Sequence, residues 1–206
     1  GIKADLRFHI GYKENALVWE LHLTSDRDRK IKVFPYVELG MMEFMRELQW
    51  QCYNKHQLFV YTLDDILVYK YGVENQPRPN ETPLIYFAAD VPVSGYDGDR
   101  DEFVGTYRSE ENPIGLEQGC TGSTLAGGIP ALETDIELKA GEERRICFFL
   151  GAAMDDDAIR TSVAHCRESS FVDESFAELS ERWNDMPDGR RIQRDMYSAF
   201  LLQHAV

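Results

Sequence analysis

Apolar and polar residues alternate along most of the first 150 positions. ADLRFHI (4–10) and ALVWELHL (16–23) repeat with a period near two, which predicts two half-buried strands. SDRDRK (25–30) reads as a tight polar turn into IKVFPYVEL (31–39). Pro35 inside that third run predicts an edge position or a bulge, because proline donates no ladder hydrogen bond. QLFVYTLDDILVYKYGV (57–73) predicts a hairpin with Asp64 and Asp65 at its tip, and LIYFAADVPV (84–93) a further strand. MMEFMRELQWQCYNKH (41–56) fits a short helix or an irregular excursion equally well, and NQPRPNETP (75–83) is a proline-rich linker. SEENPIGLEQGCTGSTLAGGIP (109–130) reads as one long loop, and ALETDIELKAGEERRICFFLGAA (131–153) as two antiparallel strands around an Ala-Gly turn.

The period changes at Asp155. DDDAIRTSVAHCRE, SFVDESFAELSERWNDM and RRIQRDMYSAFLLQHAV carry apolar residues at three- and four-residue spacing, which predicts helices. Asp155, Asp156 and Asp157 open the first of them, where carboxylates satisfy free backbone amides. The organisation is therefore a large antiparallel β domain over residues 1–153, followed by a helical segment over 154–206.

With 43% apolar and 12% aromatic residues, the 206-residue chain can build a substantial core. A formal charge of -14 argues against nucleic acid or an anionic membrane surface as partner and suits a neutral ligand. No apolar run reaches the length of a membrane span. Cys52, Cys120, Cys147 and Cys166 are too scattered for a zinc-type pair; they suit a reducing compartment, although two disulfides remain open from the count. The opening GIKADLRF runs at once into alternation, as a start within a larger protein would.

Candidate chemistry concentrates in YDGDRDEFVG (96–105). Asp97, Asp99 and Asp101 match the first half of a calcium loop, but Glu102 stands where the loop needs glycine and Arg108 where it needs a bidentate glutamate. The better reading is a turn at Asp97-Gly98, with Phe103 in the core and Arg100 paired to nearby acids. A glycosidase pair of carboxylates needs two tuned groups at a set separation, and exposed loop acids do not provide tuning. His165 and Cys166 are helix neighbours pointing apart, not a nucleophile and its base. His9 and His22, on adjacent strands, have no third ligand in view. Trp19, Trp50, Tyr61, Tyr69 and Tyr86 could stack on sugars, but alternation on strands favours sheet core. The glycine-rich 119–128 lacks the spacing of a nucleotide phosphate loop.

Four stretches in order, LVWELHLTSDRDRKIKVFPYVELG, FAADVPVSGYDGDRDEFVGTY, LETDIELKAGEERRICFFLG and FAELSERWNDM, carry a resemblance over roughly residues 4–186. Together they resemble the N-terminal β-sandwich domain of the inverting β-glucoside phosphorylases, glycoside hydrolase family 94, which act on cellobiose, cellodextrins, laminaribiose, chitobiose and cellobionic acid. The resemblance implies a galactose-mutarotase-like supersandwich followed by linker helices that lead to an (α/α)6 barrel. It implies a parent enzyme in which inorganic phosphate, the co-substrate, attacks the anomeric carbon of a β-linked glucoside and releases an α-sugar 1-phosphate. One barrel aspartate acts as general acid, and no other cofactor or metal is involved.

No counterpart of the barrel is present here, so no residue of this chain is assigned a catalytic role. The resemblance further implies a cytoplasmic homodimer in which sandwich loops approach the partner subunit's active site. The loop placed for that is GCTGSTLAGG (119–128), with Thr121 and Ser123 as substrate-binding residues; the alternative for this stretch is a glycine-rich connection with no ligand. The closing MPDGRRIQRDMYSAFLLQHAV departs from the family pattern, and Phe200, Leu201 and Leu202 are the expected uncovered apolar patch on it. The alternative is a free-standing carbohydrate-binding or vestigial sandwich.

Overall fold

The computed structural model describes residues 1–39, 58–71, 83–124 and 128–184. The ambiguous 41–56, Trp50 and Cys52, most of the proline-rich linker and the closing segment with Phe200–Leu202 lie outside the described residues.

Among the described residues, nine strands form two antiparallel sheets. Strands β1 (Ile2–Ile10), β2 (Ala16–Ser25), β4 (Leu58–Leu63), β5 (Ile66–Tyr71), β6 (Leu84–Ala89) and β9 (Glu143–Ala153) make a six-stranded sheet in the order β1-β2-β9-β6-β5-β4. Strands β3 (Arg29–Val33), β7 (Gly95–Asp97) and β8 (Ala131–Leu138) make a smaller sheet in the order β3-β8-β7. The predicted hairpin is β4–β5, with Leu63 opposite Ile66 and Asp64 at a φ of 58°. β3 lies at an edge and ends before Pro35, whose carbonyl accepts from the Leu132 amide, so the proline sits where it removes no ladder donor.

Alternation assigns each side chain to a layer. In β9, Ile146 and Phe148 face the small sheet, where they meet Leu132, Ile136 and Leu138 of β8. Cys147 and Phe149 face the other way, onto helix α3 (Asp156–Cys166) and the first turn of α4 (Phe171–Asn184), where Ile159, Val163, Phe171 and Val172 are buried. The large sheet is thus covered on both faces, which is why β9 reads as a nearly continuous apolar run while β8 alternates. Asp155 caps α3 by accepting from the Ala158 amide at 2.8 Å, as its position predicts. Among the described residues, no helix is long and apolar enough to cross a membrane.

Two connections differ from the sequence reading. LETDIELKAGEERRICFFLG is not a hairpin: β8 and β9 belong to different sheets, and the Ala140-Gly141 turn steps between layers. SDRDRK does the same between β2 and β3. The two crossings lie side by side and share bonds: Gly141 donates to the Ser25 carbonyl at 2.9 Å, and Asp28 accepts from the Ala140 amide at 2.9 Å. Strand alternation alone cannot separate a hairpin from a sheet switch, because both leave the chain running antiparallel. The long loop 109–130 is also partly ordered as helix. A short helix α1 (Arg100–Phe103) precedes it, and α2 (Gly115–Gln118) lies within it.

Candidate functional site

The acid-rich stretch is divided among separate structural tasks. Asp97 ends β7 and is fully buried, so the expected exposed turn is corrected: its carboxylate faces inward and holds a loop. Oδ1 of Asp97 accepts from the Thr121 amide at 2.9 Å, the Thr121 hydroxyl at 2.7 Å and the Ser123 amide at 3.2 Å. Asp99 caps α1, accepting from the Asp101 amide at 2.8 Å. Arg100 bridges Glu38, at 2.7 Å, and Glu110. Phe103 is buried and stacks on Tyr36, with ring centroids 5.5 Å apart. Asp97, Asp99 and Asp101 therefore do not converge, and no group of three metal-ligating side chains occurs among the described residues.

Residues 119–123 lie against β7 and β8 through a continuous set of inward bonds. The Gly119 amide donates to Gly115 at 2.9 Å, Cys120 to the Glu133 carboxylate at 2.7 Å and Gly122 to Tyr96 at 2.9 Å. The amides of Thr121 and Ser123 go to Asp97. In return, Gly98 donates to the Ser123 carbonyl at 2.7 Å. Glu133 is itself buried and paired to Lys32. Gly119 has a φ of 81°, and a Cβ there would come within 2.9 Å of the Glu133 carboxylate, so glycine is required on both counts. Burial beside Asp97 and Glu133 pushes the Cys120 thiol well above its ordinary range, which makes it an unreactive wall of the site.

This geometry limits what the loop can bind. Five successive amides are already committed, so it is not a nest of free N–H groups for phosphate. Thr121 is exposed, and its hydroxyl proton goes to Asp97, leaving the oxygen as an acceptor. An acceptor suits a sugar O–H. Ser123 is half-buried next to it. A cleft of about 200 Å³ opens on the other side of β7, between Thr62, Asp64 and Asp65 of the hairpin tip and Ser94 and Tyr96. Its two carboxylates are paired, Asp64 to Arg160 at 3.3 Å and Asp65 to Arg167 at 2.7 Å.

The remaining candidates resolve as framework. Tyr69 and Tyr86 are fully buried, Trp19 packs on Phe87, and Tyr61 donates to Asp156 at 2.7 Å, so these aromatics serve the core. His165 bonds Glu14 at 2.7 Å, while Cys166 is buried, its thiol pushed up to about 12. His9 is buried against Phe176, and burial lowers its pKa. His22 stands four register positions from His9, opposite Asp5 on one side and Arg145 on the other.

His22 lies 2.9 Å from Glu143 and 3.0 Å from Glu20, and the bond to Glu143 above all raises its pKa. A raised folded-state value stabilises the fold below the unfolded pKa of about 6.5 and ceases to do so as pH rises through the folded value. His22→Gln is therefore expected to lower Tm most in mildly acidic buffer, with the difference from the parent shrinking as pH rises. Melting curves across that range check it, and a gap that widens with pH would reject the assignment.

The glycosyl hydrolase 94 supersandwich domain model matches residues 1–169. The N,N'-diacetylchitobiose phosphorylase of Vibrio furnissii is 30% identical over 195 residues, which is 90% of this chain and 23% of that protein. The corresponding enzyme of Vibrio proteolyticus is 28% identical over the same shares. The solabiose phosphorylase of Paenibacillus borealis is 26% identical over 94% of this chain and 25% of its own length. The chain thus spans about a quarter of the length of these relatives. With a family model covering most of its residues and a two-sheet antiparallel architecture to match, the chain belongs to glycosyl hydrolase family 94, through its supersandwich domain.

Proposed function

We propose that this chain is the non-catalytic support and dimerisation domain of a β-disaccharide phosphorylase, whose phosphate-dependent cleavage is performed by an (α/α)6 barrel outside these residues. The observation that carries the reading is how the buried carboxylates are used. Asp97 and Glu133 hold main-chain amides of the 119–123 loop, and Glu20 faces Arg7, His22 and Arg145. Each is tied to the framework rather than poised as an acid or base beside an open site. The loop they fix leaves Thr121 exposed and Ser123 half-buried, and in this reading those residues contact a sugar hydroxyl in the active site of the neighbouring subunit.

Two measurements test it. The 206-residue chain, given inorganic phosphate and β-linked disaccharides such as N,N'-diacetylchitobiose or cellobiose, is expected to release no sugar 1-phosphate by phosphorus NMR; release would sink the non-catalytic assignment. In the longer polypeptide carrying this domain, Thr121→Ala is expected to raise KM for the disaccharide about tenfold, the worth of one hydrogen bond to a ligand. KM for phosphate should hold, because the amides of residues 119–123 are already committed. A selective rise in the phosphate KM would contradict the sugar assignment.

A further inference from the structure

The two sheets part at one end. β4 is the last strand of the large sheet and β7 the last of the small one. Val60 of β4 closes against Gly98, just past β7: a Cβ at Gly98 would lie 2.7 Å from Val60. Toward the β4–β5 turn the layers separate, and the cleft of about 200 Å³ opens there. Cross-strand partners show which way its walls face. Thr62 stands opposite Leu67 and Tyr96 opposite Leu132, and both leucines belong to the core between the sheets. Thr62 and Tyr96 therefore turn inward. In the row Leu58, Val60, Thr62, the last member exchanges an apolar group for a hydroxyl where the cleft begins.

The polar groups of this cleft are unspent. Neither the Thr62 hydroxyl nor the Tyr96 hydroxyl has a hydrogen-bond partner among the described residues, so both can donate. The Ser94 hydroxyl donates to the Glu133 carbonyl at 3.2 Å and keeps its oxygen as an acceptor. Arg160 holds Oδ2 of Asp64 and Arg167 holds Oδ2 of Asp65, which leaves Oδ1 of each carboxylate to accept. The two carboxylates thus bring acceptors without net charge.

We propose that this cleft binds one neutral pyranose unit of a carbohydrate. Donors and acceptors are interleaved around an apolar lining of Leu67, Leu132 and the Tyr96 ring, which suits a ring that carries hydroxyls on its rim and C–H groups on its face. The volume selects a single ring, since pockets for drug-sized ligands span roughly 300–1,000 Å³. Charge selects a neutral one: an anion would face the free carboxylate oxygens, and a cation would compete with two arginines already in place. The site is separate from the 119–123 loop, none of whose residues line it, so it does not depend on the sugar contact proposed for Thr121.

Methyl β-D-glucopyranoside added to the 206-residue chain is expected to shift the amide resonances of Thr62, Asp65 and Tyr96 saturably, with a Kd in the millimolar range. Thr62→Val and Tyr96→Phe each remove one unpartnered hydroxyl, so both should keep the fold, and each should weaken binding about 3–10-fold. Methyl β-D-glucuronide, the same ring with a carboxylate at C5, should bind at least about tenfold more weakly. No saturable shift in the cleft overturns the proposal. Shifts confined to Thr121 and Ser123 overturn it too, while leaving the loop assignment in place. Binding unchanged in both variants shows that these hydroxyls do not recognise the sugar and rejects the site as described. A glucuronide bound as tightly as the glucoside overturns the choice of a neutral ring.

Discussion

Alanine in place of Asp97 is expected to destabilise the domain by about 2–4 kcal/mol and to release the 119–123 loop from β7. The estimate follows from what the carboxylate does. One oxygen accepts from two amides and a hydroxyl, at 2.9, 3.2 and 2.7 Å, in a site with no exposure at Asp97. Bonds to a charged acceptor contribute about 1.5–3 kcal/mol each when removed singly, but these three share one atom and do not add. The orphaned Thr121 regains water, since it is exposed, which keeps the loss below the sum. Asp97→Asn retains the accepting oxygen and is expected to cost about 1 kcal/mol. Denaturant unfolding of the two variants measures the difference, and amide exchange at Thr121 and Ser123 reports the loop itself. If asparagine were as damaging as alanine, charge rather than acceptor geometry would be the anchor.

Asp97 also marks a boundary between what the sequence discloses and what it does not. Strands with clean alternation were legible: β2, the β4–β5 hairpin and the caps of α3 follow from period, turn residues and the aspartates at 155–157. Phe103 was legible as core because an aromatic residue amid acids has nowhere else to go. Asp97 and Glu133 were not. Both share composition with the exposed acids around them, and their burial is created by residues 119–123 folding back over β7 and β8, a contact between segments far apart in sequence. The only local hint is the run of small residues and hydroxyls in GCTGST, which lets backbone and carboxylate approach closely. The sheet switch at Ala140-Gly141 was hidden for a different reason. A turn's residues specify its local bend but not whether the next strand rejoins the same layer, and the layer is decided by which partners bury the two faces of β9.

The same dependence on facing partners makes Gly151 the most sensitive to substitution among the described glycines. Gly151 lies in β9 opposite Tyr86 on one side and Ala16 on the other. An added Cβ would clash with Cζ and the hydroxyl of Tyr86, whose ring is fully buried and packed against the glycine. The ring cannot swing aside cheaply. Its hydroxyl is 2.8 Å from Ser162, which donates to Glu14 at 2.6 Å, and Glu14 bonds His165 at 2.7 Å, so it belongs to a network fastening α3 and the β1–β2 turn to the sheet. Gly151→Ala is therefore expected to cost about 3–5 kcal/mol, at or above the upper end for overpacking a core, because steric strain and loss of the network act together. For a domain of this size that corresponds to a Tm lower by about 6–20 °C. Tyr86→Leu removes the obstructing ring, so Gly151→Ala added to it should cost at most about 1 kcal/mol more. A four-member mutant cycle by thermal or denaturant unfolding tests this directly. Additive losses would show that Gly151 is needed for its backbone and not for the space it leaves to Tyr86.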